Sequence, residues 1–266
     1  MSPFDGRRLW RRIRFVWITA GIAATVIFVV WSLVAYRPSA HARAAMVSDA
    51  TVKVAYQDGI WSFQPVTGTN RPSTALIFFP GALVNPVAYA PLLRAAATAG
   101  FRAYMIELPR RGAFGGGDDP EVMRRLDRLL ARPDAPRRWV AAGHSRGAVV
   151  ACDVAVARRA GFAGLVLIGT SHPRDVDLSG LAVPVTKIVG TRDGLATPAD
   201  VERNRSKLPM ATRWVSIEGG NHSHFGWYGF QPGDRWPTIP ADQQRDAMIR
   251  AVLDALRNVP EETRGE

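Results

Sequence analysis

The sequence predicts an α/β fold: a doubly wound, mostly parallel sheet with helices on both faces, preceded by one N-terminal transmembrane helix. Three observations carry this. Short apolar runs alternate with helical stretches from residue 74 onward, the pattern of strands covered on both faces by the helices between them. Residues 15–36 hold no charged side chain. The chain has 266 residues and is 47% hydrophobic, enough for one sizeable core, so a single domain is expected rather than two small ones.

In chain order, residues 1–14 form a basic segment with five arginines against one aspartate. "FVWITAGIAATVIFVVWSLVAY" follows over residues 15–36. As a helix it reaches ~33 Å, long enough to cross a hydrocarbon core. Trp17, Trp31 and Tyr36 lie towards its ends, where amphipathic rings favour the headgroup zone. The arginines before the span outnumber Arg37 and Arg43 just after it, which places the N-terminus in the cytoplasm and the rest outside, anchored in the cell membrane. The alternative is a cleaved signal peptide, with a secreted product starting after the Ala40-His41-Ala42 site. The apolar run exceeds the ~7–15 residues usual for a signal peptide, which favours the anchor. Residues 37–50 read as a linker, 51–258 as the folded domain and 259–266 as a polar tail.

Within the domain, "TVKVAY" and "IWSFQP" flank Gln57-Asp58-Gly59, a hairpin signal that predicts antiparallel pairing at one edge. "TALIFF", "FRAYMI", "RWVAAG", "FAGLVLIG", "VPVTKIVG" and "TRWVSIE" read as further strands. Helical patterns separate most of them, and Pro240 opens a last helix with Ile249, Val252, Leu253 and Leu256 on one stripe. Only "TSHPRDVDLSGLA" separates two of the strands, which leaves no room for a helical lid.

The formal charge is +11, and 31 of 34 basic residues are arginine. Those charges are dispersed, with no basic helix interleaved with aromatics, so nucleic-acid binding is not expected. Attraction to anionic lipid headgroups is the simpler account. The single cysteine, Cys152, lies in an apolar helical pattern and reads as a core residue.

The chemistry-bearing motif is Gly143-x-Ser145-x-Gly147, placed between a strand and a helix. A sharp turn there needs glycines on either side of the serine, and it presents the hydroxyl as a candidate nucleophile. The competing role is a serine that caps the following helix. A serine hydroxyl needs a histidine to take its proton and a carboxylate to orient that histidine. In doubly wound hydrolases the order is serine, acid, histidine. Asp193 in "VGTRDGLATP" is the preferred acid, ahead of Asp175 and Asp177; otherwise it caps its own Asp-Gly turn. In "VSIEGGNHSHFGWYG", His222 is the preferred base and His224 the alternative, with His144 a packing residue and His172 a loop residue near the pocket. An oxyanion hole needs backbone donors. Arg146 N–H is one, and the second comes from "FFPGALVNPVAY", with Ala82 the first choice and Leu83 the second.

On "FFPGALVNPVAYAPLLRAAATAGF", "GHSRGA", "GTRDGLAT" and "IEGGNHSHFGWYG" together, the chain resembles the α/β-hydrolase superfamily, and more narrowly its family 5 branch, over roughly residues 52–256. The resemblance implies a Ser145–Asp193–His222 triad and no metal or organic cofactor. Pro80 departs from the His-Gly pattern common in the loop before the second donor. With no lid, the expected pocket is open and walled by Phe114, Phe225, Trp227 and Tyr228, which otherwise read as surface aromatics, with Leu83 and His224 also near the substrate. The expected partner is a small-molecule or lipid-like ester; Arg110, Arg111 and Arg146 read first as solvated surface charge, with binding of an acidic substrate group the alternative. Acyl transfer by the same residues, or a non-catalytic scaffold, are the alternatives.

Overall fold

The computed structural model describes residues 6–66, 73–158 and 161–260. Parts of the basic segment (1–5) and of the polar tail (261–266) lie outside these. Eight strands form one sheet: β1 (Val52–Gln57), β2 (Ile60–Pro65), β3 (Thr74–Phe79), β4 (Arg102–Ile106), β5 (Arg138–His144), β6 (Phe162–Ile168), β7 (Val185–Gly190) and β8 (Arg213–Ile217). Their spatial order is β1-β2-β4-β3-β5-β6-β7-β8. Only β1–β2 and β2–β4 pair antiparallel; every other pair is parallel.

The expected hairpin closes on Asp58 and Gly59, both at positive φ. All six residues of β3 are buried, because helices cover both faces there. On one face lie α3 (Ala90–Thr98) and α7 (Ala241–Arg257), packed over Leu76, Phe78 and Val140. On the other lie α4 (Pro120–Leu130) and α5 (Arg146–Ala157), packed over Ile77, Ala141 and Leu167. Cys152 of α5 is fully buried, and burial pushes its thiol pKa up to about 12. Residues 169–184 pass from β6 to β7 without a helix. A short helix, α6 (Pro198–Arg203), follows β7.

The apolar N-terminal segment is helix α1 (Gly6–Ala35). It is the one helix among the described residues long and apolar enough to cross a membrane. Its surface is exposed up to its last turn, where Ala35 and then Tyr36 become buried. The stretch expected as a linker carries helix α2 (Ala40–Ala44) and is docked on the domain. Ala42 is fully buried. Ser39 N–H donates to the Trp227 carbonyl at 2.8 Å, and Arg94 holds the carbonyl of Ala45 at 2.8 Å. The small residues that read as linker composition are the ones that let this segment lie close against α3.

Candidate active site

Each glycine of the motif at the end of β5 has a steric reason. A Cβ on Gly143 would stand 2.2 Å from the Gly147 carbonyl, and one on Gly147 would stand 1.9 Å from the Phe79 oxygen. Only bare backbones pack that closely. The turn they permit holds Ser145 at φ 54°, ψ −117°, a region that side-chain-bearing residues rarely occupy. Ser145 N–H bonds the Ile168 carbonyl at 2.9 Å. The hydroxyl makes no capping bond to α5, so the helix-cap role has no support. Ser145 instead lines a cavity of about 320 Å³ together with His222.

Asp193 and His222 are both 1% exposed. Asp193 follows β7 and His222 follows β8, so both sit at the carboxyl edge of the sheet beside the Ser145 turn. One carboxylate oxygen accepts N–H groups from Leu195 at 2.8 Å and Ala196 at 2.7 Å. The other accepts from His222 Nδ1 at 2.8 Å. A carboxylate accepts only, so Nδ1 carries the imidazole proton and Nε2 keeps its lone pair. That Nε2 is buried with no partner among the described residues. A buried, unpaired nitrogen is costly, and its lone pair is open to a hydroxyl proton.

Three further residues hold this pair, and the sequence reading did not single them out. Asp234 Oδ1 accepts N–H groups from Gly194 at 3.0 Å and His222 at 3.2 Å, which ties the acid's loop to the histidine's loop. Gln244 of α7 is fully buried and bonds both the N–H and the carbonyl of Asn221. Tyr89 bonds His144 Nδ1 at 2.8 Å, and the His144 ring lies 4.5 Å from that of His222. Burial, with His222 adding to it, holds the His144 pKa well below the usual histidine value, so this ring packs neutral behind the candidate base. None of these residues has a local motif; each is recognisable only from its partners.

The two candidate second donors differ. Leu83 N–H is taken by the Arg111 carbonyl at 2.8 Å, and Gly81 N–H by the Tyr89 hydroxyl at 3.2 Å. Ala82 N–H has no hydrogen bond among the described residues, and neither does that of Arg146, the first residue of α5.

The cavity wall departs from expectation. Phe225 is fully buried, and Trp227 and Tyr228 nearly so. Phe225 packs on His144 with ring centres 5.7 Å apart, Trp227 stacks on His41, and Tyr228 meets Tyr36 and Tyr89. Partners from residues 36–41 claim rings that the sequence placed around the substrate. Phe114 projects into solvent, 91% exposed, and Leu83 is 40% exposed; neither lines the cavity, nor does His224. The wall is mixed instead, with Thr170, Ser171, His172 and Arg174 facing the cavity alongside Val149, Leu195 and Ala196. Arg174 is held by Ser171 Oγ at 2.9 Å. Of the three arginines weighed between surface charge and an acidic-group site, Arg146 lines the cavity and pairs with Asp118, Arg110 pairs with Asp119, and Arg111 is exposed.

Lys187 of β7 is 1% exposed and donates to the His172 carbonyl, fastening this wall from below. Burial pulls its pKa down to about 7. An unfolded lysine keeps its proton up to about pH 10.4. Between those values the unfolded chain binds more protons, so stability rises with pH. Lys187→Met is expected to remove this slope, at most about 1.4 kcal/mol per pH unit. Unfolding curves from neutral pH to about pH 10 read it, and a slope that survives the substitution would assign it to another group.

The fold and this edge define the class: a doubly wound hydrolase with a serine on the turn after its central strand. Residues 75–246 match the Alpha/beta hydrolase family, and the chain belongs to that family. No curated protein sequence matches it. Among solved structures it is similar to a dienelactone hydrolase from Anabaena variabilis, with a TM-score of 0.60 at 18% identity over 79% of this chain and 100% of that one. It is also similar to an esterase domain from Rhodothermus marinus, with a TM-score of 0.55 at 15% identity over 79% and 100%. A third is a dienelactone hydrolase-like promiscuous phosphotriesterase from metagenomic libraries, with a TM-score of 0.57 at 19% identity over 77% and 98%. At these identities the likeness is one of fold.

Proposed function

We propose that this chain is a membrane-anchored serine hydrolase of carboxylic esters or related acyl compounds. The observation that supports it most is the state of His222: Nδ1 is bonded to Asp193 while Nε2 is buried and unpaired, and His222 and Ser145 line one cavity. Ser145 attacks the acyl carbonyl as His222 Nε2 takes its proton. The developing oxyanion receives the N–H groups of Arg146 and Ala82, each worth about 3 kcal/mol when aimed at it. The imidazolium then protonates the leaving alcohol. Water, deprotonated by the same nitrogen, releases the acid from the acyl-enzyme. The test is labelling of the full-length protein with a fluorophosphonate and location of the adduct by peptide mass. Modification at Ser145 is expected; a folded protein that takes up no probe ends the reading.

Helix α1 serves in this proposal as a retained anchor, its N-terminus cytoplasmic and the domain outside. Cleavage after Ala42 would remove Ala35, Tyr36 and Ala42, all buried, from the domain's own core. The membrane fraction is expected to yield the protein with its N-terminal peptide intact. A mature protein beginning at Arg43 would instead make α1 a signal sequence.

A further inference from the structure

The helix that would cross the membrane is attached at a particular edge of the domain. The Ala35 carbonyl accepts Gly229 N–H at 2.7 Å, and the Tyr36 carbonyl accepts Asn85 N–H at 3.1 Å. Asn85 lies in the loop that follows β3. Gly229 lies in the segment that continues from His222 after β8. Both rise from the carboxyl edge of the parallel strands, the edge that carries Ser145, Asp193 and His222.

The attachment is rigid. Ring contacts run inward from the helix end: Tyr36 to Tyr228 at 6.2 Å, Tyr228 to Tyr89 at 6.4 Å, Tyr89 to His144 at 5.8 Å and His144 to His222 at 4.5 Å. Residues 35–47 are held to the domain along their length, α2 and its flanks being bonded to Trp227, Asn85 and Arg94. The domain therefore cannot swing away from the base of α1 as it would on a free linker.

The same edge carries exposed apolar side chains. Leu83 follows β3, Phe114 follows β4 and Trp236 lies in the segment after β8; they are 40%, 91% and 71% exposed. Arg110 and Arg111, in the loop after β4 that also carries Phe114, are exposed as well, Arg110 bonding the Phe114 carbonyl and pairing with Asp119. Apolar tips set among arginines are the composition of a surface that meets headgroups and the outer part of the acyl layer.

We infer that the carboxyl edge of the sheet rests against the bilayer holding α1, and that the substrate is an acyl amphiphile resident in that leaflet. This rests on the anchored serine-hydrolase reading above and adds where the site faces and what it takes up. A rigid short tether keeps a site at high effective concentration towards substrates in its own leaflet, and a long flexible one dilutes it.

The experiment uses the full-length protein in vesicles of phosphatidylcholine with a minority of phosphatidylglycerol. Two substrates are compared: a long-chain 4-nitrophenyl ester dissolved in the bilayer, and water-soluble 4-nitrophenyl acetate. The variant carries a Gly/Ser insertion of about twenty residues between Leu33 and Val34, both exposed, which leaves the uncharged residues 15–33 to span the bilayer and residues 35–47 to dock on the domain. Turnover of the embedded ester is expected to fall about tenfold on insertion, with acetate turnover and thermal stability unchanged. Equal rates on the embedded ester with and without the insertion, while probe labelling and vesicle association persist, overturn this inference alone. Loss of probe labelling or of vesicle association in the uninserted protein overturns it together with the reading beneath it.

Discussion

Ser145→Ala is expected to lower ester turnover by at least about 10⁴-fold and to abolish fluorophosphonate labelling, with the fold unchanged. The substitution removes one oxygen and keeps Cβ, so the turn at φ 54° is neither relieved nor further strained. The hydroxyl holds no capping bond to α5, so stability is expected to move by no more than about 0.5 kcal/mol. The readouts are therefore separable: kcat/KM on a short-chain ester and the melting curve of the same preparation. Turnover within tenfold of the parent, in a protein that melts normally, would return Ser145 to the role of a turn residue.

Asp193→Asn is the second large effect, and the geometry says which way the amide sits. One oxygen of Asp193 accepts N–H groups from Leu195 and Ala196, so an asparagine keeps its carbonyl there. Its NH₂ then faces His222 Nδ1, which must accept rather than donate. The ring proton moves to Nε2, where the lone pair was needed. A loss of about 10⁴-fold in kcat follows from the wrong tautomer alone. The two backbone bonds survive, so the loop and the melting curve should change little. Should kcat stay within tenfold of the parent, Asp193 would be only the cap of its own turn.

Much of the fold was legible because it is written in short-range constraints. The continuous apolar run of β3 and the hairpin at Asp58-Gly59 each follow from a few adjacent residues. Gly143 and Gly147 announced the serine turn, since no side chain fits where their Cβ atoms would stand. The candidate order Ser145, Asp193, His222 is read in the same way, since each residue follows a recognisable strand.

Other parts were not legible. The aromatics at 225–228 read equally well as cavity walls or as surface rings. Tyr36 and His41, far earlier in the chain, decide for the core by packing against Tyr228 and Trp227. Residues 37–50 have the composition of a linker but the contacts of a structural element. The acid–histidine pair is held by Asp234 and Gln244, whose bonds join loops from different strands. The difference between Ala82 and Leu83 as candidate donors also rests on a distant group, the Arg111 carbonyl that takes the Leu83 N–H.

Sequence alone determined the class of sheet, the serine turn, the candidate acid and histidine and the apolar helix ahead of them. Those features depend on periodicity, on steric exclusion within a few residues and on the length of an uncharged run. Tertiary structure alone decided which imidazole nitrogen is free, which aromatic rings leave the cavity, and that α1 meets the domain at the edge carrying the candidate site. Each of those is settled by a hydrogen bond or ring contact between residues distant in the chain. Such partners compete for the same group, and only the folded arrangement fixes which one reaches it.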